Sequence, residues 1–153
     1  MNKINTPDFD SIAPQFCINA RIRRLHRIIN SAYQKMMAPY KLRGSMLSIL
    51  FIIGKQKKSN QKKLSNMLVL DESTISRDLK KMIERNLVMY SKGNDNRNKE
   101  LELTDKGYLL VNEIAPKWDN LHQTFEQAVG ETHSKMIDEI TEKIKIGLSQ
   151  LNQ

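Results

Sequence analysis

The chain has one cysteine in 153 residues, so no intrachain disulfide can form. No run of about eighteen apolar residues occurs, which argues against a membrane-spanning helix and predicts no membrane partner. The segment Met1 to Asp10 holds one lysine, two aspartates and no apolar stretch, unlike a secretory signal. Together these features predict a cytoplasmic protein. Glycine is scarce, six residues in all, and none builds a phosphate-cradling loop or a nucleophile elbow. His26, His122 and His133 show no metal-ligand spacing. No catalytic set, metal or cofactor is expected, and the chain does not read as an enzyme. It has no internal repeats and no low-complexity segment.

Acidic residues are also scarce, but only locally. Lys and Arg number 25 against 17 Asp and Glu, a net charge of +8. Residues 1–54 carry net +6, residues 55–99 net +7 and residues 100–153 net −5. The excess is thus confined to the first two thirds, as one charged face would require, and it points to a polyanionic partner. The length fits one ordinary domain with a helical extension. A long helix at each end suggests that a partner chain completes part of the core.

Residues 1–14 are polar with two prolines and read as a loose arm. From Gln15 to Met37 an apolar stripe runs through Ile18, Ile22, Leu25, Ile29, Ala32 and Met36, the seam of a helix packed on another helix. Arg21, Arg24 and Arg27 lie away from it, and Pro39 ends the helix. Residues 44–54 predict a short, very apolar, buried helix with Ser45 as its cap. KQKKS at 55–59 reads as a basic loop. Asn60 can cap a helix over Gln61–Leu68, with Leu64 and Leu68 inward. Asp71 can cap the next helix, 71–86, with Leu70 and Ile75 placed as a hydrophobic staple.

Leu87–Lys92 and Lys99–Leu103 predict two short strands joined by GNDNRN at 93–98. Leu101 and Leu103 alternate with Glu100 and Glu102. Thr104 and Asp105 open a long helix to about Val129, in which Pro116 predicts a kink. A last helix, about Thr132 to Leu151, lines up Ile137, Ile140, Ile144, Leu148 and Leu151.

The 71–86 segment carries the functional pattern. At about 100° per residue, Ile75, Leu79, Met82 and Ile83 share one face. Ser73, Arg77, Lys80, Lys81 and Glu84 lie opposite. One side fits a core, while the other offers a small hydroxyl near the N-terminus followed by Arg and Lys. A DNA-recognition helix needs this arrangement. Small residues admit close approach to base edges, Arg donates in bidentate fashion to guanine, and Lys meets phosphates. The short helix before it and the tight connection give helix-turn-helix spacing. The hairpin after it supplies a wing bearing Lys92, Arg97 and Lys99, with Asp95 placed to hold Arg97 by a charge-assisted bond. Any one of these pieces alone reads as an ordinary solvated face. Helix, turn, helix and basic-tipped hairpin in one 45-residue stretch are far more specific. The fold class is therefore mainly α with a small β-hairpin wing.

QKKLSNML, then DESTISRDLKKMIERNLV, then DNR and LTDKG, resemble the MarR (multiple antibiotic resistance regulator) family of winged-helix transcription regulators. RLHRIINSAYQKMMAPYKL is similar to that family's first helix and its exit. The resemblance covers about residues 15–150 and is strongest at 61–107. It implies a winged helix-turn-helix DNA-binding domain at 41–104, and a helical dimerisation region made of 1–40 and 105–153. It implies a homodimer that binds double-stranded DNA at a palindrome, as a repressor. By position it turns Ser73, Thr74, Ser76 and Arg77 toward the major groove, and its Asp-x-Arg wing pattern falls on Asp95 and Arg97. Lys62, Lys80, Lys81, Lys92 and Lys99 complete the expected DNA contacts. KLRGSML at 41–47 departs from the family's usual start of the second helix. Pro116 is outside the pattern, and Asn98 stands where a second wing Arg is common.

The family also implies release by a small phenolic ligand or an oxidant. Cys17 sits where the peroxide-sensing branch places its thiol, and Arg21 one turn on favours a thiolate. Tyr33, however, is about 160° round the helix from Cys17, against that branch's pattern. The alternative is that Cys17 is a small apolar packing residue. His26, Tyr33 and Trp118 are candidate effector-pocket residues, with ordinary core or dimer packing as the alternative. The competing function is a winged-helix module that docks protein or RNA without sequence-specific DNA readout.

Overall fold

The computed structural model describes residues 6–92 and 99–151. They fall into two compact units, Met1–Gly44 and Ser45–Gln153. In the first unit the arm is partly ordered. Pro7 and Pro14 each open a helical turn, where a fixed φ and a missing N–H are no handicap. These turns are α1, Pro7–Ser11, and a 3-10 turn, Pro14–Phe16. Helix α2 then runs Ile18–Met37, starting with the stripe's first residue and three residues after Gln15, the predicted start of the segment. Cys17 precedes it in extended conformation and is exposed, so the thiol is not carried on the helix surface. Pro39 lies in the 3-10 turn Ala38–Tyr40 that closes α2. Met37, Tyr40 and Leu42 are buried, whereas Ile18, Ile22 and Leu25 along the stripe are exposed.

The second unit contains the expected sequence of elements. Helix α3 spans Gly44–Gln56, α4 Gln61–Leu68 and α5 Glu72–Glu84. Strand β1 is Val88–Lys92 and β2 Lys99–Leu103. Helix α6 is Asp105–Val129 and α7 Glu131–Leu151. The strands pair antiparallel from Val88↔Leu103 to Lys92↔Lys99. Ser59 adds a bridge on the other side of β2: it exchanges backbone bonds with Leu101, at 3.1 and 2.8 Å. The predicted basic loop is therefore only partly a loop. Lys55 and Gln56 extend α3, and Ser59 is a buried edge of the sheet.

Three helix starts follow one rule. Asn60, Asp71 and Thr104 each accept the backbone N–H three residues on, from Lys63 at 2.8 Å, Thr74 at 2.8 Å and Gly107 at 3.0 Å. Each bond satisfies an amide that the helix itself leaves open. Between α4 and α5 the turn is closed by Ser65, whose hydroxyl donates to Leu70 O at 2.6 Å. Its carbonyl also accepts the Leu70 N–H at 3.1 Å.

The core of this unit is continuous in composition. Ile49, Leu50 and Ile53 of α3, Leu64 of α4, Ile75, Leu79 and Met82 of α5, Leu101 of β2 and Ile114 of α6 are at most 1% exposed. Burying each side chain of this size stabilises by roughly 2 kcal/mol before entropy is counted. Helix α6 continues through Pro116, which removes the amide that would bond to the carbonyl of Asn112. Along α7, Ile137, Ile140, Ile144, Leu148 and Leu151 form an exposed apolar row. Among the described residues, no single helix is long and apolar enough to cross a membrane.

Candidate nucleic-acid interface

Helix α5 divides cleanly. Ile75, Leu79 and Met82 are buried, while Ser73, Ser76, Arg77, Lys80 and Lys81 are exposed. Thr74 is half-buried at the start of the same helix. Asp78 departs from the wheel's simple division, because it is a carboxylate that is only 3% exposed. The Ser45 hydroxyl donates to its Oδ2 at 2.5 Å. Ser45 therefore ties α3 to α5 instead of capping α3. A buried carboxylate without such a donor would be costly.

The first turn of α5 is a small polar network centred on Asp71. Its Oδ1 accepts from the Thr74 N–H, and also from the Ser73 hydroxyl at 2.5 Å. Its Oδ2 accepts the Thr74 hydroxyl at 2.8 Å. The Ser73 and Thr74 hydroxyl bonds, followed by the Thr74 amide, hold the Asp71 carboxyl at a pKa of about 2, below its usual 3.8. Arg77 folds back on the same turn. Its Nε donates to Ser73 O and its Nη2 to Thr74 Oγ1, each at 3.2 Å. A relay thus runs from Arg77 through Thr74 to Asp71. It presents the guanidinium next to two hydroxyls whose protons are already directed at a carboxylate.

This network has a pH consequence. A carboxylate whose pKa is depressed on folding stabilises the fold above its unfolded value and loses that contribution as pH falls through the folded one. The Asp71 contribution should be present above about pH 4 and lost toward pH 2. The check is a series of urea denaturation curves for the wild type and Asp71→Asn between pH 5 and pH 2. The wild type's advantage should shrink across that window. An advantage that is constant with pH would contradict the depressed carboxyl.

The remaining expected contacts are placed as follows. Lys62 is exposed on α4, where Gln61 Nε2 donates to Glu72 O at 3.1 Å and joins α4 to α5. Lys92 and Lys99 pair at the end of the hairpin, and the Lys99 ammonium lies 5.5 Å from the Tyr90 ring centroid. Asp95 and Arg97 lie outside the described residues. Of the effector candidates, His26 is exposed and Tyr33 half-buried, both on α2. Trp118 lines a cleft of about 730 Å³ between α3 and α6. Phe51 meets its ring edge-on at 5.5 Å, and His122 stacks on it at 4.9 Å. Lys55, Lys57, Tyr108, Asn112 and Asp119 also line the cleft.

Sequence reasoning missed the Lys58 contacts with Glu100 and Glu102, at 3.0 and 3.1 Å. Alternation along β2 placed both glutamates on one face, but nothing local named their partner. Asp78 had a readable signal, since on the wheel it falls beside Met82 on the margin of the apolar face.

Residues 45–99 match the model of the MarR family. No curated protein matches the chain by sequence. Among solved structures the chain is similar to BpsR of Bordetella bronchiseptica, whose DNA binding is regulated by 6-hydroxynicotinic acid. The identity is 18% over 88% of this chain and 96% of that one, with a TM-score of 0.77. It is also similar to the M. tuberculosis transcriptional regulator MOSR in complex with DNA, at 25% identity over 85% of this chain and 97% of that one, TM-score 0.72. A MarR family transcriptional regulator from Silicibacter pomeroyi gives 22% identity, 94% coverage of both chains and a TM-score of 0.70. Residues 45–99, which span the helix-turn-helix and reach the hairpin, thus match the MarR family's model, and the chain has the same fold as these solved structures.

Proposed function

We propose that the chain is a sequence-specific regulator that binds double-stranded DNA as a homodimer at a palindromic operator and represses transcription there. The observation that carries this reading is the division of α5 into a buried face and an exposed Ser–Arg–Lys face immediately after a helix-turn-helix connection. Ser73, Thr74, Ser76 and Arg77 are assigned to base edges. Lys62, Lys80, Lys81, Lys92 and Lys99, with Asp95 and Arg97 in the wing, are assigned to the backbone and the adjacent groove. Because the Ser73 and Thr74 protons point to Asp71, their oxygens act as acceptors: that of Thr74 takes Arg77 Nη2, and that of the exposed Ser73 suits the amino groups of adenine or cytosine. Residues 41–104 are assigned to DNA, and 1–40 with 105–153 to dimerisation. The exposed apolar rows of α2 and α7, together with the acidic last third, suit pairing with a second copy better than contact with phosphates. A cytoplasmic location follows from this role.

The test is selection from a random DNA pool with the intact protein. The expected outcome is a palindrome with half-sites about one helical turn apart. Recovery of unrelated sequences would favour the alternative, a docking module for protein or RNA.

A second observation supports an effector. The α3–α6 cleft is within the size range of small-molecule sites, and aromatic rings line it beside Lys55 and Lys57. A small phenolic acid matches these groups. Adding such acids during selection should release DNA, and Trp118→Ala should abolish the release. Oxidant sensing would rest on Cys17 alone; Cys17→Ser tests it through the response to peroxide.

A further inference from the structure

Residues 57–60 connect α3 to α4, and the first three of them reach α6 and the wing strand β2. Lys57 has a left-handed backbone, φ 68°, and its ammonium lies 5.3 Å from the Tyr108 ring centroid. Lys58 contacts Glu100 Oε2 and Glu102 Oε1 together. Ser59 bridges Leu101, the residue between those two glutamates. One short connector therefore grips β2 by a pair of backbone bonds and by an ammonium forked across two carboxylates. An isolated exposed ion pair would contribute little. Here one cation serves two partly covered acids on a strand already registered by backbone bonds, so little side-chain freedom remains to be lost. The two glutamate bonds, Glu100 first, raise the Lys58 pKa above its ordinary value, and the lysine keeps its charge throughout the physiological range.

We propose that Lys58 is a positioning residue for DNA recognition: it pins the wing strand to the helix-turn-helix through Glu100 and Glu102, and does not itself contact DNA. The proposal rests on the DNA-binding reading. Its logic is geometric. Helix α5 and the hairpin must meet one duplex together, so the angle between them is part of the specific complex and unimportant in loose, sequence-independent association. A lysine on a phosphate acts in the opposite way, because it strengthens binding to every sequence alike.

The test compares the wild type, Lys58→Met, Glu100→Gln/Glu102→Gln and the triple variant. Two quantities are read: the ratio of affinity for the selected operator to affinity for a scrambled duplex, and amide hydrogen exchange without DNA. The ratio should fall about three- to tenfold in the lysine variant and in the glutamate pair. The triple variant should fall no further than either, as expected for one network. Exchange at the Ser59 and Leu101 amides should quicken in all three variants while that of Leu79 and Met82 is retained, which separates unpinning from unfolding. If Lys58→Met lowers both affinities equally, or the glutamate pair leaves the ratio unchanged, the assignment is wrong. Unchanged exchange at Ser59 and Leu101 overturns it without reference to DNA. If the wild type prefers no sequence while exchange still quickens, the DNA-binding reading itself has failed and the positioning role falls with it.

Discussion

Arg77→Ala is expected to lower affinity for the selected operator by about 10- to 100-fold, and affinity for unrelated duplex by much less. The guanidinium is already oriented by Ser73 O and Thr74 Oγ1 at the exposed start of α5. Little rotamer freedom remains to be lost on binding, and its other N–H groups stay available for a guanine edge. Arg77→Lys should recover part of the non-specific affinity and little of the discrimination, since an ammonium cannot reproduce a planar fork. The measurement is competition binding against operators changed one base pair at a time. Discrimination should collapse at one position in each half-site. An even loss across all sequences would instead mark Arg77 as one more positive charge on an anion-binding face, and would support the docking alternative.

What was legible in the sequence was what local spacing decides. Asn60 and Asp71 could be read as caps, and Thr104 as a helix start, because each bonds an amide three residues away. The buried face of α5 was equally readable from period alone. Features that depend on distant partners were not. Ser45 looks like a cap, because its acceptor, Asp78, is 33 residues further on. Ser59 looks like loop, because its strand partner is Leu101. Lys58 looks like one charge in a basic run until Glu100 and Glu102 are brought to it. Cys17 was misplaced for a different reason. The apolar period extends back to Ile18 and then stops, but Pro14 organises a separate turn before it, leaving the cysteine between the two. The cleft at Trp118 needed two helices to be assembled, although Pro116 had already flagged that stretch of α6 as unusual.

Gly107→Ala is expected to destabilise the fold by about 3 kcal/mol or more, lowering the melting temperature by roughly 10 °C. A Cβ built on Gly107 would lie 2.1 Å from the carbonyl oxygen of Leu87, 3.1 Å from its carbonyl carbon and 3.4 Å from Leu103 Cβ. The obstructing atoms are backbone and cannot swing aside. The same oxygen accepts the Thr104 N–H at 3.2 Å, and Thr104 caps α6 through Gly107. Displacing Leu87 therefore strains the cap, the entry to β1 and the packing of Leu103 at once. Gly54→Ala provides the contrast. There the added Cβ meets only Leu103 Cδ1, at 3.1 Å, the end of a side chain that can adjust, so the cost should stay near 1 kcal/mol. Gly147→Ala meets nothing within 4 Å on α7 and should stabilise by up to about 1 kcal/mol through helix propensity. Thermal unfolding of the three variants should thus give a large loss, a small loss and a gain. A Gly107→Ala protein that melts with the wild type would mean that α6 does not approach Leu87 this closely. It would also remove the steric reason for glycine in the LTDKG segment that helped to identify the fold.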